Sequence, residues 1–363
     1  MKSFIFVRNK TFRPSTYYRI YQYLKDFDNT DFEINEFELN KFYSVKSGSK
    51  LINFIYGFIY ALIPGYFRRL TFIIRILRYR NKYILFIQRE CFPRFIDPLS
   101  KMLLKKIAHN ASAVYWDIDD NIFDAREITE FEKELLKKYS KKIFVGNQFL
   151  LEKLQLLNSD KVMIVNTTDI MMENINLYKI NIKRKILFER EIILIWVGTR
   201  SNLRFLEGII PQLDASANRM KSKKIILKIV CDETLKISTK SLIIKCIKWD
   251  RLTAHQEMLN AHIGLMPLVE NELTRGKCAF KAVQAIGCGL PVIVSDVGMN
   301  REVVQKNNGI LIYNNLGWGD AVLALSESVK QWEEKSLLSR KLWVENFNPK
   351  EIRNLLMNAL KNN

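Results

Sequence analysis

Residues 192–206 read IILIWVGTRSNLRFL, and they show the pattern on which the rest of the chain is built. A run of six apolar residues ends before Gly198, a short polar loop follows, and spacing typical of a helix begins near Leu203. Uninterrupted, largely β-branched runs are typical of parallel strands that are buried on both faces of a sheet. The stretch therefore predicts a strand, a loop and a helix of an α/β domain.

The same alternation of apolar runs and helical segments extends in both directions. A first series of strands is predicted at 4–7, 83–87, 113–118, 142–146 and 162–165, and a second at 192–198, 225–230, 242–247, 262–268 and 291–295. We predict helices at 129–141, 147–157, 202–213, 277–287 and 321–363, with a polar linker at 170–190. Two such series in 363 residues indicate two Rossmann-like, doubly wound domains that face a substrate cleft.

Composition and charge limit the classes of partner. Lys and Arg outnumber Asp and Glu by 57 to 38, which gives a net charge of +19 and favours an anionic partner. The basic residues are dispersed and form no RNA-binding motif, so we expect no nucleic-acid partner and keep nucleic-acid binding only as a rival function. Five cysteines without a C-x-x-C pair predict neither a disulfide framework nor a zinc site, which fits a reducing cytosol.

One segment raises the question of a membrane. Residues 51–67, LINFIYGFIYALIPGYF, are followed by five arginines up to Arg80. Three interpretations stay open: a buried core helix, an interfacial segment with arginines on lipid headgroups, and a membrane span for which the length is barely sufficient. The N-terminal run FIFV (4–7) is too short for a signal peptide and predicts a first strand.

The loop at the end of the strand 192–198 is suited to an anionic ligand. Gly198 lets the backbone approach a ligand closely, and Arg200 and Arg204 add positive charge. We expect Ser201 or Asn202 to cap the next helix, whose N-terminus would then suit a phosphate. The alternative is an ordinary turn between a strand and a helix.

A second loop of this kind begins at Arg275. Lys277, Lys281 and Gln284 follow at spacings of four and three, so we expect them to share one face of a helix. With the first loop, they predict a site for a diphosphate. The alternative for the two lysines is a solvated helix face.

Three acids lie at the carboxyl end of the strand at 113–118. Asp117, Asp119 and Asp120 are costly to place together, and we expect one of them in the cleft and the others as caps of the next helix. A metal site there is only weakly indicated, and we predict none. Trp249 would either flank a nucleobase or pack in the core. The three histidines are expected to be structural.

The C-terminal motifs resemble those of family 4 glycosyltransferases, which have the GT-B fold. TRGKCAFKAVQAIGCGLPVIVSDVGMNREVV (274–304), preceded by HIGLMPL (262–268), is similar to a bacterial branch with a G-K-C-x-x-K loop. WVGTRSNLRFL (196–206) is similar to that branch's strand, glycine and loop, with a basic residue at Arg204. RPSTYYRIYQYL (13–24), YWDIDDN (115–121) and FVGNQFLLEK (144–153) resemble its N-terminal segments.

This resemblance implies an activity and a division of the chain. It implies retaining transfer, of the hexosyltransferase type, from a nucleotide-diphosphate sugar to a glycan or a polyprenyl- or lipid-linked acceptor. No metal or other cofactor is obligatory. The expected role is synthesis of bacterial surface polysaccharide or glycoconjugate, such as lipopolysaccharide or capsule, in the cytoplasm or at the inner face of its membrane. Residues 1–180 would bind the acceptor, 190–345 the nucleotide sugar, and the helix 346–363 would cross back to the first domain.

The resemblance also implies roles for particular residues. Arg204 and Lys277 would neutralise the leaving diphosphate, and Asp119 would orient the acceptor or support an oxocarbenium-like transition state. Arg19 is a candidate contact for acceptor or phosphate. The donor would be bound by Gly198, Thr199, Arg200, Trp249, Ala279, Phe280, Lys281 and Gln284.

Two positions depart from the wider family's pair of glutamates. One glutamate falls at Gln284, which can still bond a ribose hydroxyl, and the other at Gly276, which cannot replace a carboxylate. This departure motivates a rival function, a non-catalytic GT-B partner subunit.

Overall fold

The computed structural model describes residues 1–26, 32–44, 49–154, 160–305 and 307–361. The chain forms two compact units, Met1–Thr167 with Lys350–Asn363 and Thr168–Pro349, which we call unit 1 and unit 2. The domain bounds implied by the resemblance stay a prediction beside this division.

Unit 1 is built on a parallel sheet with the order β2-β1-β3-β4-β5-β6. In the described part of the chain its strands are β1 Lys2–Val7, β2 Phe32–Glu36, β3 Tyr83–Gln88, β4 Ala113–Ile118, β5 Lys142–Val145 and β6 Val162–Ile164. Its helices are α1 Pro14–Arg19, α2 Asn40–Ser44, α3 Lys50–Gly57, α4 Ile63–Arg78, α5 Pro98–Asn110, α6 Glu130–Tyr139 and α7 Gln148–Lys153. The strands β3 and β4 are buried along their whole length, as their apolar sequences predict.

Unit 2 has a second parallel sheet, in the order β12-β11-β10-β7-β8-β9. Its strands are β7 Glu191–Val197, β8 Lys224–Cys231, β9 Ile243–Lys248, β10 Ile263–Met266, β11 Val292–Ser295 and β12 Gly309–Ile312. Its helices are α8 Leu177–Phe188, α9 Leu203–Glu207, α10 Ile210–Arg219, α11 Arg251–Leu259, α12 Glu272–Arg275, α13 Phe280–Gly287, α14 Asn300–Val303, α15 Trp318–Ser326 and α16 Val329–Asn346. The strand order reverses between β7 and β10, which defines the switch point of this sheet.

A last helix, α17 Pro349–Lys361, lies mostly in unit 1. The Ser3 hydroxyl of β1 donates a hydrogen bond of 2.6 Å to the Leu360 carbonyl. The predicted helical stretch 321–363 therefore consists of three helices, α15, α16 and α17.

All ten predicted strands are confirmed, and two further strands were not predicted. These are β2, with the sequence FEINE, and β12, with the sequence GILI, and each lies at an edge of its sheet. Both are mostly half-buried, so they lack the long apolar run that a strand buried on both faces needs.

The prediction of an irregular linker at 170–190 is wrong. The stretch holds a 3-10 helix, Ile170–Met172, and the twelve-residue helix α8. The buried face of α8 consists of Leu177, Asn181, Arg184 and Phe188, which recur at helical spacing. Because two of these four side chains are polar, hydrophobic periodicity does not reveal the helix.

Three predicted helices have different bounds. The helix predicted at 147–157 corresponds to α7, and positions 155–157 of that prediction lie outside the described residues. The stretch 202–213 is divided into α9 and α10, with Pro211 in the first turn of α10, where its missing N–H is tolerated. The helix predicted at 277–287 begins only at Phe280. It follows Ala279, whose φ of 45° lies in the left-handed region.

The apolar segment forms a long helix in which α3, a π-helical turn Phe58–Leu62 and α4 follow each other directly. The core-helix alternative holds only for one face of α4, where Phe72, Ile73 and Ile76 are buried. In α3 the side chains of Leu51 and Phe54 are 68% and 72% exposed. Of the helices that the structure describes, none combines the length and apolarity needed to cross a bilayer.

Candidate functional site

The switch point of unit 2 brings three loops together. Ligands of doubly wound sheets bind beyond the carboxyl ends of the strands, where the strand order reverses. Phe205 of α9, Leu268 after β10 and Val297 after β11 form a small apolar cluster, with Met266 packed against it. The loops that follow β7, β10 and β11 therefore lie beside one another at this point.

The loop before α13 also contacts this region. Gly298, after β11, has a φ of 52°, and a Cβ atom there would lie 2.8 Å from the Arg275 carbonyl oxygen. Both the left-handed backbone and the close approach require glycine at this position. The loop that contains Lys277 is thus held against the turn after β11.

A buried polar network joins α13 to the start of unit 2. The Lys281 ammonium donates to the Gln284 carbonyl oxygen at 3.0 Å, and the Gln284 amide donates to the Asp169 carboxylate at 2.7 Å. Gln284 and Asp169 are both buried. The other Asp169 oxygen accepts from the Met171 N–H at 3.0 Å, which caps the 3-10 helix. The network therefore fixes the direction of the Gln284 amide.

Burial changes the titration of two bases in this region. It lowers the pKa of Lys281 to about 8, and Arg251 acts in the same direction, while Asp169 opposes both. Burial also lowers the pKa of His255, again against the attraction of Asp169. Near neutral pH Lys281 is still mainly protonated, so it can hold an anion.

Lys277 does not share the helix face of Lys281 and Gln284, contrary to the prediction. It is half-buried in the loop between α12 and α13, and its backbone N–H donates to the Thr274 carbonyl at 3.2 Å. Phe280 opens α13, and the Lys281 ammonium lies 4.8 Å from the centre of its ring. Of the three residues predicted to share one helix face, only Lys281 and Gln284 lie on α13.

The loop after β7 differs from the expected phosphate cradle. Neither Ser201 nor Asn202 caps a helix with its side chain, and the following helix α9 has only five residues. The Thr199 hydroxyl lies 3.0 Å from that of Ser201. The Gly198 N–H donates to the Val230 carbonyl. The predicted cap is wrong because these side chains bond each other within the loop.

The two arginines of this loop have different surroundings. Arg200 is 74% exposed and forms an ion pair of 2.7 Å with Glu233, while its N–H donates to the Asp232 carboxylate. Arg204 lies 4.9 Å from the centre of the Phe205 ring, and no carboxylate of the described residues pairs with it. Arg204 is therefore the cation of this loop whose charge stays available, and it is held next to the apolar cluster of the switch point.

Trp249 follows a strand that is not at the switch point of the sheet. It directly follows β9, and its N–H donates to the Cys231 carbonyl at 2.9 Å. In the sheet, β9 is separated from β7 by β8. The indole packs partly buried against the core of unit 2.

Unit 1 places Arg19 and Asp117 in a buried ion pair. The Arg19 Nε lies 3.1 Å from one Asp117 oxygen, and its Nη1 lies 3.2 Å from the Thr167 hydroxyl. Burial raises the pKa of Asp117, and the Arg19 charge opposes this shift. Arg19 is thus bound by Asp117 and Thr167 inside unit 1, and its contact with acceptor or phosphate stays a prediction.

Asp119 and Asp120 surround Arg89 at the carboxyl end of β3. One oxygen of each carboxylate lies 3.6 Å from the Arg89 Nη1, and Arg89 itself has a φ of 66°. Neither acid caps the next helix, which is a correction: Thr129 accepts from the Glu132 N–H at the start of α6. A pocket beside them is lined by Arg8, Arg13, Ser15, Thr16, Arg89 and Glu127.

His262 is held by hydrogen bonds in the core of unit 2. The His262 Nδ1 accepts from the Ile193 N–H, its Nε2 donates to the Arg184 carbonyl, and burial lowers its pKa to about 4. All five cysteines are free. The described residues contain no group of three side chains that could hold a metal ion.

Asp169 is the residue that sequence reasoning missed. It follows β6 in the stretch NTTD, immediately before the segment 170–190 that was predicted to be a linker. It meets Gln284 across 115 positions of the chain. The criterion used elsewhere, a polar residue after a strand end, would have singled it out.

Comparisons with known proteins agree with this geometry. No curated protein is similar to the chain by sequence. The family model "Glycosyl transferases group 1" matches residues 192–328, which begin at the second residue of β7 and include β8 to β12 and both candidate loops.

Several solved structures have a similar fold. HepE from Anabaena, in complex with UDP-glucose, is 10% identical over 100% of both chains, with a TM-score of 0.66. TarM, described from S. aureus, is 12% identical over 81% of this chain, with a TM-score of 0.56. Pneumococcal GtfA, in complex with UDP and GlcNAc, is 13% identical over 84% of this chain and 60% of its own, with a TM-score of 0.55.

These likenesses concern the fold, and their lengths differ. The chain spans 58% of the length of TarM but all of HepE. The two six-stranded parallel sheets are those of a GT-B fold. Residues 192–328 therefore match the group 1 glycosyltransferases, and the two sheets give the chain the GT-B fold.

Proposed function

We propose that this enzyme is a retaining glycosyltransferase that uses a nucleoside diphosphate sugar as donor. The observation that carries the proposal is the switch point of unit 2, where the loops that contain Arg204 and Lys277 meet beside the network of Lys281 and Gln284. The retaining outcome is inferred from the resemblance of the motifs at 196–206 and 274–304.

The leaving diphosphate sets the main chemical demand. Its negative charge grows as the bond to the sugar breaks, so cations placed in advance stabilise the transition state more than the bound donor. Arg204 and Lys277 supply this charge in the proposal, and Lys281 adds a third cation below a pH of about 8.

The network around Gln284 suits a neutral hydroxyl group. Its amide is held by Lys281 on one side and Asp169 on the other, and it keeps one N–H and one lone pair for a ligand. We assign these to the donor ribose. Gly276 offers no carboxylate near the donor sugar, so sugar selection in this chain rests on other groups of the loop.

The acceptor and the place of action complete the proposal. We propose a glycan or a polyprenyl- or lipid-linked glycan as acceptor, made for a bacterial surface polysaccharide, at the inner face of the cytoplasmic membrane. Asp119 would orient this acceptor or support an oxocarbenium-like transition state. The donor nucleotide to test first is UDP, because HepE, TarM and GtfA each have structures with UDP.

Thermal unfolding with UDP, GDP, CDP and ADP at one salt concentration tests the donor site. A ligand at 100 times its dissociation constant adds about 2.7 kcal/mol to the stability of the unit that binds it. This corresponds to a shift of about 2–4 °C for a unit of this size. We expect one base to give the shift, and Arg204→Gln and Lys277→Gln to abolish it. The matched control is Lys236→Gln, an exposed lysine of the same unit.

Turnover separates the enzyme from its rival function. With the donor that gives the shift, we expect sugar transfer to a glycan or lipid-linked fraction. Donor binding without transfer to any such fraction would favour the non-catalytic partner subunit. No shift with any nucleotide would remove the donor-site assignment altogether.

A further inference from the structure

We propose that the long helix of residues 50–78 is a docking surface for an anionic phospholipid bilayer, in which it lies parallel to the membrane plane. The inference deepens the proposed function and rests on it only for the lipid-linked acceptor. Lipid binding by this helix requires no donor, so the two proposals can fail separately.

The exposed face of this helix is strongly apolar. Phe54 and Phe67 are 72% and 66% exposed, and seven further large apolar side chains of the helix are at least 39% exposed. They are Leu51, Ile52, Ile55, Phe58, Ile59, Ile63 and Ile74. Single exposed apolar residues are ordinary on protein surfaces, but a continuous stripe of this kind marks an interaction site.

The geometry of the helix keeps this stripe on one side. Leu51, Ile55, Ile59, Ile63 and Phe67 recur every four residues. A four-residue repeat drifts around an α-helix of 3.6 residues per turn. The π-helical turn Phe58–Leu62 has more residues per turn and reduces this drift. The stripe therefore follows the length of the helix instead of winding around it.

The opposite face of α4 is firmly held in unit 1. Arg69 is completely buried and donates to the carbonyls of Val7, Asn35 and Cys91 at 2.6 to 2.9 Å. Phe72 contacts the rings of Phe4 and Phe6 in the sheet. The helix cannot turn into a bilayer without exposing these groups, so it must lie on the surface.

Charge selects an anionic bilayer as the occupant. Residues 39–89 contain ten Lys and Arg and no Asp or Glu. Of these ten, Arg69 is buried, and Arg75 and Arg89 pair with acids of other segments. Arg78, Arg80 and Lys82 are exposed at the end of the helix. Apolar side chains among basic residues match the acyl boundary and the headgroups of an anionic leaflet. A second copy of the chain would instead bring like charges together.

Sedimentation with vesicles tests the proposal. We compare phosphatidylcholine vesicles with vesicles in which about a quarter of the lipid is phosphatidylglycerol. We expect binding to the anionic vesicles at low salt and release at high salt. Phe54→Gln with Phe67→Gln should weaken this binding about tenfold or more. Tyr178→Gln with Leu316→Gln, equally exposed in unit 2, should leave it unchanged.

The basic residues are tested separately. Arg78→Gln with Arg80→Gln should weaken binding to the anionic vesicles more than Lys236→Gln with Lys330→Gln, which removes the same charge elsewhere. Equal weakening by both pairs would mean attraction by net charge alone and would overturn the docking surface. So would a wild-type chain that dimerises without lipid while the Phe54→Gln, Phe67→Gln chain stays monomeric.

Two variants distinguish a failure of this inference from a failure of the proposed function. The Phe54→Gln, Phe67→Gln chain should keep the UDP-induced thermal shift, and Lys277→Gln should keep vesicle binding. Vesicle binding without a thermal shift from any nucleotide would support the proposed docking surface and refute the proposed donor site. A nucleotide shift without vesicle binding at low salt would do the reverse.

Discussion

Gln284→Met tests the polar network that orients the donor site. Methionine has nearly the volume of glutamine but neither donates to Asp169 nor accepts from Lys281, so little cavity is left. A hydrogen bond to a charged partner contributes about 1.5–3 kcal/mol, and both bonds of Gln284 are of this kind. Because Asp169 keeps its bond to the Met171 N–H, we expect a loss of about 2–4 kcal/mol.

Urea unfolding measures this loss. Five of the six tryptophans, all but Trp116, lie in unit 2, so tryptophan fluorescence reports mainly on that unit. With a slope of about 2 kcal/mol per molar urea, the midpoint should fall by about 1–2 M. Gln256→Met, at an exposed position of α11, is the matched control and should change stability by less than about 0.5 kcal/mol.

A second variant separates the two bonds. Gln284→Glu keeps an acceptor for Lys281 but removes the donor to Asp169 and adds a like charge beside it, so it should also destabilise unit 2. If Gln284→Met unfolds with the midpoint of the wild type, the reasoning is refuted, since neither bond would then contribute. A destabilised Gln284→Met with an unchanged UDP shift would limit Gln284 to a structural role.

Three further predictions concern titration and burial. The pKa of Lys281 in the folded state, about 8, lies below its value in the unfolded state, so unit 2 without ligand should gain stability as the pH rises from about 8 to 10.5. Stabilisation by UDP should decrease over the same range, because Lys281 loses its charge. The Lys281→Gln variant should show neither trend. His262 has a folded pKa of about 4 against 6.5 when unfolded, so the unfolded state binds the extra proton and unit 2 should lose about 3 kcal/mol between pH 6.5 and 4. His262→Gln should flatten that slope in the same fluorescence assay, and an equal slope would contradict the assignment. Arg69→Met removes the hydrogen bonds that hold α4 and should destabilise unit 1 by about 3 kcal/mol or more, measured as faster proteolysis, whereas the half-buried Arg68→Met should change little.

The central strands could be predicted because burial on both faces requires consecutive apolar residues. A strand covered on both faces, such as β3 with YILFIQ, needs an apolar run whatever its neighbours are. The edge strands β2 and β12 are covered less, so their sequences carry no such run. Helix α8 was not predicted for a related reason. Its polar residues Asn181 and Arg184 are buried because other parts of unit 2 form hydrogen bonds with them.

The candidate site was predictable in its residue types and less so in its contacts. Arg204 and Lys281 were identified from the sequence, and the structure places Arg204 beside the apolar cluster of the switch point and Lys281 in the network on α13. Local spacing could not show that Ala279 delays the start of α13, which separates Lys277 from the helix face. Nor could it show that Arg19 turns inward, because its partner Asp117 is 98 positions away.

The sequence by itself determined the α/β class, the two series of parallel strands and the places of the two loops that carry Arg204 and Lys277, since each depends on residues that are neighbours in the chain. Only the tertiary structure decided that Asp169 holds Gln284 and that one face of helix 50–78 stays uncovered. Both depend on which distant segments pack together. Burial and hydrogen bonding between such segments are properties of the folded chain, and no local pattern of residues specifies them.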